Sequence, residues 1–421
     1  MNFNFTAAGK NRFHIAALSL LVLLFAFSAT ASAQPRDNWV ATWAASPQPL
    51  WNGDFALPTN APFHLWDQTL RQVARVSIGG ERVRVVLSNK YGSRPLRIGA
   101  AHLALSDGKS AIADGSDRPL TFSGEKAPVI PPGASIVSDP VALRVKPLQS
   151  LAVSLYLPEP TAPETFHWDG LQTAYIGAGN QVFREALDVA STTNTRIFLS
   201  GILVETAEDA RAVVAFGDSI TDGNASTPGS NHRWPDFLAE RLVGENIAVL
   251  NAGISGARLL DSLMGENALA RFRRDVLGQP GVRTAIVMMG INDIGWPGSG
   301  LAPQKALPTA EQLIAAYRQL IAQAHLRGVR IVGTTLTPFE GALDGSPVHD
   351  YYSAEKEALR QQVNRWIRDS GEFDAVIDFD RALRDPENPR RMRAQYDSGD
   401  HLHPGDAGYR AMAEAVDIGL L

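Results

Sequence analysis

Two kinds of apolar pattern divide the chain near Thr206. Before it, runs such as Arg82-Val83-Arg84-Val85-Val86-Leu87-Ser88 and Leu151-Ala152-Val153-Ser154-Leu155-Tyr156-Leu157 alternate or are rich in β-branched residues. Successive side chains of a strand point to opposite faces, so such runs suit short strands. Turn signals separate them: Gly79-Gly80, Pro131-Pro132-Gly133, Pro158-Glu159-Pro160 and Gly177-Ala178-Gly179-Asn180. With no long amphipathic helix among them, residues 34–205 predict a β-sandwich or jelly-roll accessory domain.

After Thr206 the apolar runs become continuous and alternate with helical segments. Ala212–Phe216, Ile247–Asn251, Thr284–Met289, Arg330–Thr335 and Ala375–Phe379 read as strands covered on both faces, as in parallel sheets. Residues 310–327 carry Leu313, Ala316, Tyr317, Leu320 and Ala324 at helical spacing. Thr309 and Gln312 make a capping-box pattern at the start, and Gly328 follows the end. Residues 354–369 repeat the pattern with Leu359, Val363, Trp366 and Ile367, and a last helix over about 405–416 follows Pro404. Residues 206–421 therefore predict a three-layer α/β domain around a parallel five-stranded sheet.

Residues 1–33 read as a signal peptide. Lys10 and Arg12 give a positive start, Ile15 to Phe27 an apolar stretch, and Ala31-Ser32-Ala33 a small-residue cleavage site. The stretch falls short of the roughly 20 residues of a comfortable span, although an uncleaved anchor is the rival reading. No later apolar run is long enough to span, so the mature chain is expected to be exported, periplasmic or secreted, without a stable membrane span.

Composition narrows the chemistry. The formal net charge is −5 and no Lys/Arg-rich run occurs, which disfavours nucleic-acid binding. There is no cysteine among the 421 residues, which removes disulfides, thiolate metal sites and a thiol nucleophile. A nucleophile must then be a hydroxyl, a carboxylate or an amine.

Active residues of open α/β sheets lie beyond the carboxyl ends of the strands. There the chain places Gly217-Asp218-Ser219, Gly253-Ile254-Ser255-Gly256, Gly290-Ile291-Asn292-Asp293 and, after a long loop, Asp400-His401-Leu402-His403. Ser219, at a strand-to-helix turn, is the candidate nucleophile and needs a base within hydrogen-bond reach. His403 is the candidate base. Asp400, three residues earlier, can reach its Nδ1 through a turn and fix its tautomer, while the adjacent His401 points elsewhere. Gly256 can offer an unobstructed N–H, Asn292 its side-chain amide and Ser219 its own N–H to a developing oxyanion. Each of these residues taken alone also reads as an ordinary turn or capping residue. Asp400, His401 and His403 could also serve as metal ligands, but no second ligand group at recognisable spacing joins them, so the reading carries no metal or other cofactor. There is no Gly-x-Ser-x-Gly elbow, no Walker loop and no Gly-x-Gly-x-x-Gly after the first α/β strand.

The four blocks together resemble the SGNH hydrolases, or GDSL esterases/lipases: Phe216-Gly217-Asp218-Ser219-Ile220-Thr221-Asp222-Gly223, Asn251-Ala252-Gly253-Ile254-Ser255-Gly256, Gly290-Ile291-Asn292-Asp293 and Asp400-His401-Leu402-His403-Pro404. The first has Ile220 where the family name has leucine. The resemblance covers about 210–418. It implies a flavodoxin-like sheet, a Ser219/His403/Asp400 triad and an oxyanion hole from Ser219, Gly256 and Asn292, without a metal. Trp39-Val40-Ala41-Thr42-Trp43-Ala44-Ala45-Ser46-Pro47 resembles the opening of secreted bacterial members that carry a β-rich domain in front.

The resulting expectation is an esterase working through an acyl-enzyme. The loops 293–308, with Trp296, and 339–352, ending in Tyr351-Tyr352, are placed to wall the pocket. Without a long apolar lid, short acyl groups are favoured, acetyl on a carbohydrate being one target. An acyltransferase using the same intermediate, a non-catalytic glycan-binding protein and, more weakly, a phosphoester hydrolase are the alternatives.

Overall fold

A computed structural model describes residues 38–421 except 52, 54, 56, 207 and 208. The expected signal peptide, residues 1–33, lies outside the described residues. The first half is antiparallel. One main sheet runs in the order Trp39–Ala44, Leu199–Glu205, Gly80–Ser88, Val141–Val145, with Ser135–Val137 also on Gly80–Ser88. The other runs Val189–Thr193, Ala174–Ala178, Gln68–Arg75, Ser150–Leu157, Ala100–Leu105, Arg118–Pro119. The alternation in the first sheet points Val83, Val85 and Leu87 into the core, all fully buried. A small third sheet of Gln48–Pro49, Thr165–His167 and Arg196–Ile197 lies apart from these two and leads to the site.

The second half is the expected α/β sheet. Its parallel strands are β1 (Arg211–Gly217), β2 (Ile247–Gly253), β3 (Val282–Met288), β4 (Arg330–Thr334) and β5 (Ala375–Ile377), in the spatial order β2-β1-β3-β4-β5. The order reverses at β1, and the crevice at such a reversal is where open α/β sheets bind ligands. The helix over Ala310–His325 begins with the Thr309/Gln312 box, in which Thr309 N–H donates to Gln312 Oε1 at 2.9 Å. The helix Ala354–Asp369 buries Leu359, Val363 and Ile367.

Most element boundaries lie within two residues of the sequence reading, and two of the differences have a plain local cause. The last strand stops at Ile377, because the Asp378 carboxylate accepts the Arg381 N–H at 3.0 Å and starts the helix Phe379–Leu383. The loop expected over 293–308 begins later, since Ile291–Gly295 is a short helix carrying Asn292.

The two halves share one hydrophobic core within a single compact unit of residues 37–421. Strand Trp39–Ala44 packs on β2. The Ala41 N–H donates to Pro280 O at 3.0 Å, and the Val249 N–H to Ser77 Oγ at 3.0 Å.

Candidate active site

Strand β1 ends at Gly217 and the chain turns at once into the short helix Ser219–Asp222. Asp218 caps it, its Oδ1 accepting the Ile220 N–H at 3.1 Å. Ser219 thus stands at a helix start, where backbone N–H groups point outward. Its Oγ lies 2.8 Å from His403 Nε2. His403 Nδ1 lies 2.6 Å from Asp400 Oδ2. Asp400 Oδ1 accepts the Leu402 and His403 N–H groups at 2.9 and 2.8 Å, so the three-residue spacing folds the carboxylate onto its own turn. With Nδ1–H donated to Asp400, Nε2 is left to accept the Ser219 proton. His401 turns away to Asp397, 2.6 Å from its Nδ1.

Burial raises the Asp400 carboxyl, but the hydrogen bond and charge of His403 and the two backbone donors outweigh it and hold it well below the usual range. Asp218 differs. It is fully buried, its Oδ2 has no hydrogen-bond partner among the described residues, and burial pushes it up to about 7. A carboxyl raised in the folded state binds its proton there more tightly than in the unfolded chain, so stability falls as pH rises from about 4 through 7. Asp218→Asn keeps the capping oxygen and removes that cost. Its gain in unfolding free energy over the parent is expected to be greater at pH 8 than at pH 5 by roughly 2 kcal/mol, read by denaturant titration. An equal gain at both pH values contradicts the assignment.

The prospective oxyanion donors surround Ser219. Gly256 has φ 77°, and a Cβ there would collide with the Met264 side chain. Gly253 admits no side chain either, because the Asp222 backbone occupies the space. Among the described residues, no acceptor takes the backbone N–H of Ser219 or Gly256. The Asn292 amide donates to Ala257 O at 3.0 Å, while its Oδ1 accepts Trp296 Nε1–H at 3.0 Å and Tyr351 O–H at 2.8 Å. Two donors on Oδ1 fix which way the amide faces and leave its second N–H for a ligand. Asp293 braces the same loop by accepting the Leu259 and Leu260 N–H groups at 2.7 and 3.0 Å.

Trp296 and Tyr351 are nearly fully buried and line the cavity beside Ser219, so these two residues both wall it and orient Asn292. Tyr352 is not brought there and packs on Phe339, ring centroids 5.0 Å apart. Tyr351→Phe removes one donor from Asn292 Oδ1. It is expected to lower kcat about tenfold with a much smaller change in KM, because only amide orientation is disturbed. A rise in KM alone would make Tyr351 a wall and nothing more.

Sequence reasoning missed a buried network from the antiparallel half. His167 Nε2 meets Asp222 Oδ1 at 2.9 Å, and its Nδ1 meets Ser46 O at 3.0 Å. Burial alone would lower His167, but the Asp222 carboxylate raises it above the ordinary value. Asp222 Oδ2 accepts the Ser255 N–H at 3.0 Å. The Ser255 hydroxyl lies 3.1 Å from both Asp222 and Asp169, and Asn224 Nδ2 donates to Asp169 at 2.8 Å. Burial and the nearby Asp222 charge raise the Asp169 carboxyl above its ordinary value. The antiparallel half thereby grips both the Ser219 turn and the Ser255-Gly256 loop. Asp222, Ser255 and Ser46 stood in recognised segments, but the histidine that joins them lies 55 positions from Asp222 with no local signal.

Residues 213–416 match the family model described as GDSL-like Lipase/Acylhydrolase. No curated protein matches the chain. Among solved structures, a GDSL-like lipase from Bacteroides thetaiotaomicron is 16% identical, with TM-score 0.38, over 51% of this chain and 90% of that one. The inhibitor-bound aryl esterase of M. smegmatis is 17% identical, with TM-score 0.38, over 49% and 96%. A carbohydrate acetylesterase family member from Sinorhizobium meliloti is 17% identical, with TM-score 0.35, over 49% and 94%. The match to the GDSL-like lipase/acylhydrolase family, the SGNH carboxylic ester hydrolases, is thus carried by residues 213–416, the α/β half of the chain.

Proposed function

We propose that the protein is a serine esterase in which Ser219 is the nucleophile, His403 the general base and acid, and Asp400 the group that orients His403. The observation that carries this is the unbroken relay from Asp400 through His403 to Ser219 Oγ, with distances of 2.6 and 2.8 Å. His403 Nε2 takes the Ser219 proton as Oγ attacks the ester carbonyl carbon. The carbonyl oxygen becomes the oxyanion and meets the N–H of Ser219, the N–H of Gly256 and the free N–H of Asn292. The tetrahedral intermediate collapses, and His403 gives its proton to the departing alkoxide. Water attacks the acyl-enzyme, His403 taking its proton, and Ser219 leaves as the alcohol. No step calls on a metal or cofactor. We propose further that the chain is exported, as its first 33 residues suggest by their charge and apolar pattern.

The test is hydrolysis of p-nitrophenyl esters by the purified chain, with and without EDTA. Turnover that survives chelation and disappears in Ser219→Ala supports the reading. Turnover abolished by EDTA, or equal in the variant, overturns it.

A further inference from the structure

The cavity beside Ser219 is not built by the α/β half alone. Its volume is about 290 Å³, and its walls include Leu57 and Trp168 from the antiparallel half together with Met264, Trp296 and Leu301. A methyl group is about the size of a water molecule, whose share of liquid is about 30 Å³, so an acetyl group would leave most of this space empty. The walls are chiefly hydrocarbon and indole, a poor match for sugar hydroxyls, which need partners when desolvated.

The two wall residues from the antiparallel half are held firmly. The Trp168 backbone N–H donates to Gln48 Oε1 at 2.8 Å, and its indole N–H donates to Pro58 O at 2.9 Å. The same Gln48, fully buried, donates through Nε2 to Met264 O, so one side chain sets the spacing of Trp168 and Met264. Trp51 Nε1–H donates to Leu57 O at 2.7 Å. The Trp51 ring packs on both Trp168 and Phe55, and Phe55 stacks on Trp296, each with centroids 5.9 Å apart. This aromatic chain ends on the residue that orients Asn292.

Which half of an ester lies here follows from the proton's path. The alkoxide leaves toward His403, which is bordered by Leu402. Trp168 is tied through Gln48 to Met264, whose side chain abuts Gly256, and Trp168 and Leu57 are tied through Trp51 and Phe55 to Trp296, which bonds Asn292. Resting on the serine-esterase reading above, we propose that Trp168 and Leu57 form the acyl-binding wall. On that proposal the antiparallel half determines specificity, selecting esters of apolar acyl chains of about four to eight carbons rather than acetyl. This departs from the acetyl group that the sequence favoured.

The experiment compares the full chain with Trp168→Ala and Trp168→Leu on p-nitrophenyl acetate, butyrate and octanoate, and on acetates of lengthening alcohols. Each buried methylene is worth roughly three- to fourfold. The parent is expected to prefer butyrate and octanoate to acetate by at least tenfold in kcat/KM. Trp168→Ala is expected to lose at least tenfold on octanoate, to stay within threefold on acetate, and to leave the alcohol series unchanged. Trp168→Leu restores part of the loss. Binding of octanoate to Ser219→Ala by calorimetry, weakened at least tenfold by adding Trp168→Ala, reads the wall without chemistry. The proposal is overturned by a parent preference for acetate, by equal losses on acetate and octanoate, by an effect confined to the alcohol series, or by no octanoate binding to Ser219→Ala. Full esterase activity in Ser219→Ala would instead overturn the nucleophile assignment, while the calorimetry still reads the pocket.

Discussion

Ser219→Ala is expected to lower kcat by about 10⁴–10⁶-fold on any ester that the parent hydrolyses, with KM little changed. The substitution deletes one oxygen atom at a position only 6% exposed, so the fold should not suffer. On the proposed mechanism the Ser219 and Gly256 N–H groups and Asn292 remain for the oxyanion and are expected to leave a small residual rate. His403 keeps its bond to Asp400, so the pocket is otherwise intact. Steady-state kinetics with a matched thermal melt measures the effect. A loss smaller than tenfold in a folded variant would mean that another group attacks the ester.

Asn292→Ala is expected to cost about 10²–10³ in kcat, the usual scale for one oxyanion donor. The loss has two sources. The donor disappears, and the Trp296 and Tyr351 groups that held it lose their acceptor in a buried site. Asn292→Asp separates them. It still accepts from Trp296 and Tyr351 but presents no N–H, so it should be as slow as the alanine variant. An aspartate variant near parental kcat would remove Asn292 from the oxyanion site.

Much of the α/β half was legible because its signals are local. Continuous apolar runs marked all five parallel strands, and the rule of strand carboxyl ends pointed to loops that meet around one cavity. The three-residue step from Asp400 to His403 is itself a turn, so the sequence alone could say which histidine faces the carboxylate. Other parts depend on contacts between distant segments. Gln48 reaches Met264 across 216 positions, and nothing near either residue announces it. Trp168 belongs to no motif in the sequence, yet it lines the cavity. Trp296 and Tyr351 were expected as walls, and their bonds to Asn292 were not foreseen because amide orientation is settled only by packing. Tyr352 shares the local pattern of Tyr351, and both rings touch Phe339, yet only Tyr351 lines the cavity and bonds Asn292.

The most direct measurement is to treat the chain with a p-nitrophenyl alkylphosphonate, which leaves a stable phosphonyl ester on an activated serine, and to locate the adduct by peptide mass spectrometry. One equivalent on Ser219, absent from Ser219→Ala and slowed by at least 10²-fold in His403→Ala, is the expected result. An adduct on another residue, or none on Ser219 in a protein that hydrolyses esters, would contradict the relay of Asp400, His403 and Ser219 as the catalytic centre.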